Sequence, residues 1–559
     1  MSDSRHNFTW WALATSLVAL GLRVWFATAL AESPLFQPLA GAHDRTLYHE
    51  AAQGALWPAG AFEHLPLYPM LLHGVYALFG ASLKAAAAFG IACDVLTTLL
   101  LVLLARRLGA HPLLAALAGL AYAAYPLAIA YSALTMPNTL NALLATAFAF
   151  ALSHAPRDRW PVWFALGLLA GVAALGWAAW LLMVAALLIY WSVRRASADA
   201  PAWRALAAFT LAFALPLLPV AWHNSRAEGR FVLLTTHGGF NLYMGNHERA
   251  TGHPVRVRDF RMTAKALLED AHRAAEQDAG RAMTRAESSA WWSAQARAFW
   301  REQPRDALAL TARKFMLFWN RTDVDDLRIV EQARLLAGTF ASPLWPGFGV
   351  FGVLGLIGLL RAPRAGALRI LALAGMASLV LYFITARYRL NLVPLLAALG
   401  AAGLAPLWSD LKARRYGLAG ATVLAALLIV GWPVKLRDLR AVDHYNASLQ
   451  LIQAGRTNEA FALARDGLAI DPGSAALHHT MGALYFQRGM FREAVEAFAR
   501  AAALDPAHPQ AAFNLALSLA RDGDPCGGRE VLVRASLQRP LAESAQRLLA
   551  DLTSACGPR

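Results

Sequence analysis

Charge is scarce in this 559-residue chain. Only 16% of its residues are Asp, Glu, Lys or Arg, where soluble domains carry about 25%. So few charges, over so long a chain, exclude an ordinary soluble protein. Negative charge is the scarcer sign, with 36 Asp and Glu against 51 Lys and Arg. Cysteine is rarer again. Three residues, Cys93, Cys526 and Cys556, exclude a dense disulfide framework, and none stands in a Cys-x-x-Cys spacing. With no His-x-Glu pair either, the ligand spacings of zinc sites are missing and no obligatory structural metal is expected.

Hydrophobic residues, by contrast, make up 57% of the chain, as in a polytopic membrane protein. A helix needs roughly 20 apolar residues to cross the ~30 Å hydrocarbon core. Apolar runs lie at about 8–30, 85–105, 111–130, 138–153, 161–176, 178–193, 203–222, 343–360, 367–385, 390–408 and 416–434. The expected fold is therefore all-α, with about eleven spans. The pair within 161–193 is short enough to form a re-entrant hairpin instead.

The formal charge of +15 does not point to nucleic acid. From residue 441 onward 11 Lys and Arg face 12 Asp and Glu, so the excess lies upstream. It gathers between apolar runs at Arg106-Arg107, Arg157 and Arg159, Arg194-Arg195, Arg361 with Arg364 and Arg369, and Lys412 with Arg414-Arg415. Basic clusters on one side mark the cytoplasmic face. The N-terminus is then cytoplasmic, and loops 31–84 and 223–342 lie outside with everything after 435. Ala29-Leu30-Ala31 looks like a signal-peptidase site, but Arg23 interrupts the apolar run before it, and an uncleaved span is expected.

Beyond residue 440 a 34-residue period appears. Gly455, Gly489 and Gly523 are so spaced, as are Pro472, Pro506 and Pro540, and Ala460 pairs with Ala494. Residues 475–508 place Gly482, Tyr485, Ala494, Phe498, Ala501 and Pro506 at tetratricopeptide-repeat offsets. Repeats are expected at 441–474, 475–508 and 509–542, with a cap at 543–554. Such arrays bind peptides or partner proteins in their grooves. Cys526 would open the second helix of repeat three, and Cys556 would follow a cap helix running back beside it. In an oxidising compartment such a pair can bridge, while Cys93 stays a buried thiol within a span.

The external segments hold the polar chemistry. Asp44 follows the first span and has the groups of a general base around it; as a helix-capping aspartate it would have none of that role. Arg387 and Arg389 close a span, where arginine is costly unless paired or bound to an anion, although snorkelling would also place them there. Gly238-Gly239 permits positive φ and close backbone approach, either for a plain turn or for a ligand held by Asn241, Tyr243 and Asn246. In the same insertion Thr284 and Glu287 form a capping box ahead of Trp291, Trp292, Phe299 and Trp300, which are expected to pack or to anchor at the interface. Asp323 could add a second carboxylate. Arg23 and His73 are polar groups near membrane depth, open to packing or to function.

Three segments carry a family resemblance. The first is Trp222-His223-Asn224 leading, past Gly229-Arg230-Phe231, to Thr235-Thr236-His237-Gly238-Gly239-Phe240-Asn241-Leu242-Tyr243-Met244-Gly245-Asn246. The second is Ala386-Arg387-Tyr388-Arg389-Leu390-Asn391-Leu392-Val393-Pro394. The third is the opening loop, with Asp44-x-x-x-Tyr48 and Pro66-Leu67-Tyr68-Pro69. In this order they resemble bacterial protein O-mannosyltransferase-like glycosyltransferases of the GT-C class, over roughly residues 8 to 435.

The resemblance implies a polytopic enzyme of the bacterial cytoplasmic membrane that takes a sugar from a polyprenyl-phosphate carrier. Asp44 would be its catalytic carboxylate, with Glu63 and Asp323 as further candidates. Arg387 would contact phosphate, and His64, Tyr68, Tyr388 and Arg389 would line the donor site. Where relatives place a carboxylate between the third and fourth spans, this chain has Asn138. Asn138 can hydrogen-bond but cannot act as a base, which weakens a metal-bridged carboxylate pair; a divalent ion at the site remains compatible with the set. The expected organisation is a membrane transferase domain at 1–435 and a periplasmic repeat domain at 441–559 that recruits a protein or peptide. The rival is a non-catalytic scaffold in which a degenerate transferase core anchors the repeats.

Overall fold

The computed structural model describes residues 2–36, 44–194, 200–254, 257–258, 260, 264–363, 365–434, 438–506, 510–538 and 541–556. Arg195, Arg364 and Pro540 lie outside them. The described chain is all-α, with no strand among these residues. It divides into two compact units. One comprises Met1–Ala31, Phe36–Val330 and Phe340–Val434; the other comprises Glu32–Leu35, Glu331–Thr339 and Lys435–Arg559.

Four helices of the first unit are long and apolar enough to cross a bilayer: Phe8–Ala31, Leu83–Arg107, Trp203–Glu228 and Val393–Lys412. Pro112–Ala123 and Pro126–Ser132 meet at 59° and make a fifth if they form one span. The bend falls where Pro126, lacking an N–H, cannot continue the preceding helix. Apolar helices also occupy the other expected positions, but these run only 10–17 residues. By length, four or five spans qualify among the described residues, where eleven were expected.

Small residues let these helices approach closely, as lipid-embedded packing requires. A Cβ at Gly167 would overlap the Phe209 carbonyl, and one at Gly358 would overlap the backbone at Leu399. These contacts join Trp160–Ala174 to Trp203–Ala214, and Phe348–Arg361 to Val393–Lys412.

Arg23 is fully buried and forms an ion pair with Asp94, also fully buried. Its Nη1 donates to the Ala123 carbonyl at 2.7 Å, and Tyr122 Oη donates to Asp94 at 2.6 Å. The first helix is thereby tied to two others through a charge neutralised in place. His73 contacts the Ala52 carbonyl at 2.9 Å and belongs to helix packing.

The second unit is a stack of paired helices: Arg440–Gln453 with Thr457–Ile470, Ala475–Gln487 with Phe491–Leu504, and Ala511–Arg521 with Pro525–Gln538, closed by Glu543–Cys556. Gly455, Gly489 and Gly523 sit in the turn within each pair at φ of 74°, 74° and 95°. Only glycine adopts that left-handed conformation without strain, which explains the period. A Cβ on Gly482 would press on the Phe498 ring, so the second repeat needs a glycine there to seat its aromatic. Gln450 also donates to Gln332 at 2.8 Å, bringing segment 331–339 into this unit.

Cys526 and Cys556 are joined as a disulfide with their Cα atoms 5.4 Å apart, and Cys93 is a buried free thiol. The bridge closes a loop of 30 residues, for which chain entropy gives about 3.6 kcal/mol. Alkylation of the unreduced, denatured protein is expected to label Cys93 alone, and reduction to expose all three thiols. Three labels without reduction would exclude the bridge.

Candidate active site

The site grows from a five-residue helix, Ala386–Leu390, inserted between two apolar helices. It begins after Thr385, whose hydroxyl donates to Asp326 at 2.5 Å. It is held at Ala386, whose N–H donates to the Val324 carbonyl at 2.7 Å. Its two arginines diverge. Arg389 is buried and donates to the carbonyls of Leu317, Phe318, Asn320 and Thr322 and to the Asp323 carboxylate, at 2.8 to 3.2 Å. It thereby gathers the end of helix Pro304–Trp319 and the segment behind it. Tyr125 Oη donates to Asp323 at 2.6 Å as well. Asp323 is thus bound into the scaffold by Arg389 and Tyr125.

Arg387 faces the other way. Its Nη1 lies 2.6 Å from Asp44 and its Nη2 lies 2.8 Å from Asp326, with side chains 25% and 17% exposed for the two carboxylates. The guanidinium bridges two carboxylates that remain open to solvent, and its own side chain stacks toward the Tyr388 ring, 5.0 Å from the centroid. Asn138, at the start of helix Asn138–Leu152, donates to the Arg387 carbonyl at 2.8 Å. The asparagine therefore positions the cation.

Asp326 and Asp325 were missed in the sequence, where an adjacent acidic pair in a short segment was the available signal. Asp325 accepts from Tyr131 Oη at 2.7 Å and from the Ile329 N–H at 2.9 Å. Burial, then the neighbouring Asp326 charge, pushes its carboxyl up to about 6. Asp325 orients the segment, and Asp326 faces Arg387.

Asp44 opens helix Asp44–Gln53, and Tyr48 lies one turn on. Tyr48 packs edge-on against Tyr68 and His64, with centroids 5.5 and 5.9 Å apart. His64 in turn lies 5.2 Å from His237. Burial lowers both imidazoles, that of His237 to about 3 with His64 contributing and Asp44 opposing. The His237 ring is therefore neutral at pH 7. Asn224 staples this loop, accepting from the Phe62 N–H at 2.8 Å and donating to the Leu234 carbonyl at 2.9 Å.

Asp44, Arg387, Tyr48, His64, Tyr68, Tyr388 and Asn138 thus come from distant stretches to one place. Other expected residues take different work. Gly239 lies against the helix Arg285–Glu302, where any Cβ would overlap the Ser289 carbonyl, and neither it nor Gly238 has positive φ. Its closeness serves helix packing, where a ligand was expected. Asn246 is buried and fully occupied, donating to Leu242 and Leu381 and accepting from Lys314 at 2.9 Å and Trp300 at 3.2 Å. Tyr243 packs on Trp292, at 4.6 Å between centroids. Asn241 is half-buried on the same short helix, and Glu63 is exposed on the opening loop.

Among the described residues no three His, Cys, Asp or Glu side chains group to hold a metal ion. The space between Asp44 and Asp326 is bridged by a guanidinium, and such a donor set does not fit a divalent cation.

Residues 63–222 match the family described as dolichyl-phosphate-mannose-protein mannosyltransferase, and residues 451–501 match tetratricopeptide repeats. The chain resembles this mannosyltransferase family. The match supports a membrane glycosyltransferase of the GT-C type with a C-terminal repeat region. It begins at Glu63 and ends at Trp222, so Asp44 and Arg387 fall outside it. A curated relative, the probable biofilm formation methyltransferase WspC of Pseudomonas putida, is 30% identical over 112 residues, 19% of this chain and 26% of its own length. The chain therefore spans about a quarter of that relative. Among solved structures, ArnT from Cupriavidus metallidurans bound to undecaprenyl phosphate is 16% identical. That match covers 97% of this chain and 85% of its own, at a TM-score of 0.43. The Archaeoglobus fulgidus oligosaccharyltransferase is 15% identical, covering 81% of this chain and 59% of its own at a TM-score of 0.40.

The two arginines make a direct contrast. Arg389→Gln strips a buried cation from Asp323 and four carbonyls, and breaking such a pair costs about 3–5 kcal/mol. Its folded yield in detergent chromatography is expected to collapse. Asp44→Asn leaves Arg387 with Asp326 and should elute as wild type. Equal yields would remove Arg389 from its organising role.

Proposed function

We propose that this protein transfers a sugar from a polyprenyl-phosphate-linked donor to an acceptor hydroxyl on the outer face of the bacterial cytoplasmic membrane. The observation that carries the reading is the Arg387 guanidinium shared by Asp44 and Asp326 at the end of an apolar helix. A lipid phosphate arriving there offers Arg387 a stronger anionic partner, in bidentate geometry. Asp44 then gives up its ion pair and becomes free to accept a proton, while Asp326 keeps the guanidinium oriented. The acceptor oxygen bonds to the anomeric carbon as its proton passes to Asp44. The bond from that carbon to the phosphate oxygen breaks, and the phosphate leaves with the electron pair beside Arg387.

In this scheme residues 1–435 are the transferase and 441–559 the recruiting module, which takes a protein or peptide partner in the repeat groove. The basic clusters support a cytoplasmic N-terminus and periplasmic repeats, and the Cys526–Cys556 bridge suits an oxidising compartment.

Asp44→Asn is expected to lower transfer of labelled sugar by about 10²–10⁴-fold in protein that still folds, with Asp44→Glu recovering little. Near-normal transfer by Asp44→Asn, with Glu63→Gln inactive, would move the base to the opening loop. Mass spectrometry of the purified protein should find a co-purifying polyprenyl phosphate that Arg387→Gln no longer retains. For topology, alkaline phosphatase fused after Arg559 should be active; a well-expressed, inactive fusion would reverse the orientation.

A further inference from the structure

The helix Trp203–Glu228 is an apolar span of 26 residues, and its exposed positions form one line. Trp203, Leu211, Leu215, Leu218 and Trp222 are 40–74% exposed, at the three- and four-residue steps that share a helix face. Phe209, Ala212, Leu217, Val220 and Asn224, on the other side, are buried. The line begins and ends on a tryptophan. The two are about 28 Å apart at ~1.5 Å of rise per residue, against a hydrocarbon core of ~30 Å. Each has an arginine over its ring, Arg204 at 5.4 Å from the Trp203 centroid and Arg226 at 5.7 Å from that of Trp222. Aromatic rings backed by cations at both ends of an apolar stripe mark the two interfaces of a bilayer. Trp222 therefore stands at headgroup level.

Two further segments reach that end of the helix. One is the tip of the opening loop, which from Ala51 to Phe62 has no charged residue. Its Trp57 ring lies 5.2 Å from that of His223, and His223 Nε2 lies 3.0 Å from the Gly60 carbonyl. Phe62 is buried and gives its N–H to Asn224. The tip is thus clamped, yet Leu56 and Trp57 stay exposed. The other segment leaves the helix through Gly229, at φ 66°. It is held where the Val232 N–H donates to Ser225 Oγ at 3.1 Å. Val232 is buried, while Phe231 beside it is 76% exposed. Both tips hold apolar side chains outward beside a tryptophan at the interface, where a water-facing loop would carry charge.

We propose that Leu56, Trp57 and Phe231 insert into the headgroup–acyl boundary of the phospholipid bilayer and anchor the opening loop there. Continuity commits this surface to lipid. The three side chains gather at the end of a stripe that already runs the thickness of the membrane, at the level where its apolar length is used up. Arg226 and Arg230, both exposed, flank them and suit lipid phosphates. The consequence for the candidate site follows from the chain. His64 lies two residues past Phe62, and the helix Asp44–Gln53 leads directly into the tip. An anchored tip therefore fixes the height of Asp44, Tyr48 and His64 against the lipid phosphates. That use of the anchor, presenting a membrane-borne donor, rests on the transfer reading, whereas the insertion does not.

The test attaches a nitroxide to Leu56→Cys, Phe231→Cys, Leu211→Cys or Arg465→Cys in the full chain, whose own thiols are buried or bridged. Each protein is reconstituted into phosphatidylethanolamine–phosphatidylglycerol vesicles. Electron paramagnetic resonance then reads collision of the label with oxygen and with a water-soluble nickel chelate. The oxygen-to-nickel ratio at Leu56→Cys and Phe231→Cys should exceed that at Arg465→Cys, on the repeats, by about threefold or more. It should stay below that at Leu211→Cys in mid-span. Ratios equal to that of Arg465→Cys would put both tips in water and overturn the proposal. Low collision with both reagents would overturn it too, since the tips would then be covered by a protein partner or a second copy. Leu56→Glu should raise KM for a long-chain polyprenyl-phosphate sugar about tenfold, with kcat unchanged and a short-chain, water-soluble donor unaffected. An unchanged KM would remove the anchor from donor presentation. Labels at lipid depth in protein that transfers no sugar from any polyprenyl donor would sink the transfer reading and leave the anchor standing.

Discussion

One buried cation organises the candidate site. Arg389 takes four backbone carbonyls and a carboxylate, and in doing so folds the segment after Trp319 back onto the short arginine helix. Without a guanidinium those carbonyls would stand unpaired at the end of a helix, away from water. Because that segment is tied down, Asp325 meets Tyr131 and Asp326 meets Arg387. The geometry at Arg387 is inherited from that at Arg389.

The two residues are separated by a single tyrosine yet do opposite things. In a helix of five residues, positions i and i+2 point to different sides, so Arg389 turns to the carbonyls behind it and Arg387, also buried, turns to Asp44 and Asp326. Arg387 is balanced by two carboxylates, which offsets the cost of burying its charge. Asn138 fits this arrangement. An amide donates to the Arg387 carbonyl, where a carboxylate would repel it, so its departure from the family pattern is compatible with an intact site.

Much of this was legible in the sequence for physical reasons. Gly455, Gly489 and Gly523 recur because each turn needs a left-handed residue, and a steric requirement that strict leaves a period anyone can count. Arg387 and Asp44 stood out as charges in an apolar chain, although their contact, across 343 residues, was not readable. Asp326 was hidden because nothing local distinguishes it from a solvated loop acid; only the tertiary position of Thr385 and Arg387 gives it a role. The packing partners of Gly239, Tyr243 and Asn246 were hidden for a related cause. Close packing and ligand contact ask for the same small and polar residues, and the helix Arg285–Glu302, which decides between them, lies some distance along the chain. Span counting met a similar limit at Pro126, where one apolar run yields two helices at an angle.

The Arg23–Asp94 pair bears on how the chain enters the membrane. The first helix emerges from the ribosome with a positive charge inside its apolar stretch, and on insertion scales an arginine near a helix centre costs about 2.5–3.5 kcal/mol. Its counter-charge lies 71 residues further on, and the Ala123 carbonyl that completes its shell lies 100 residues further on. At five to twenty residues per second, several seconds of synthesis separate the arginine from its partners. The first helix is thus a weak resident of the lipid phase while alone and a firmly held one after the fourth and fifth helical segments arrive. The hydrogen-bonded shell of Arg23 is therefore complete only once the chain has been made as far as Ala123.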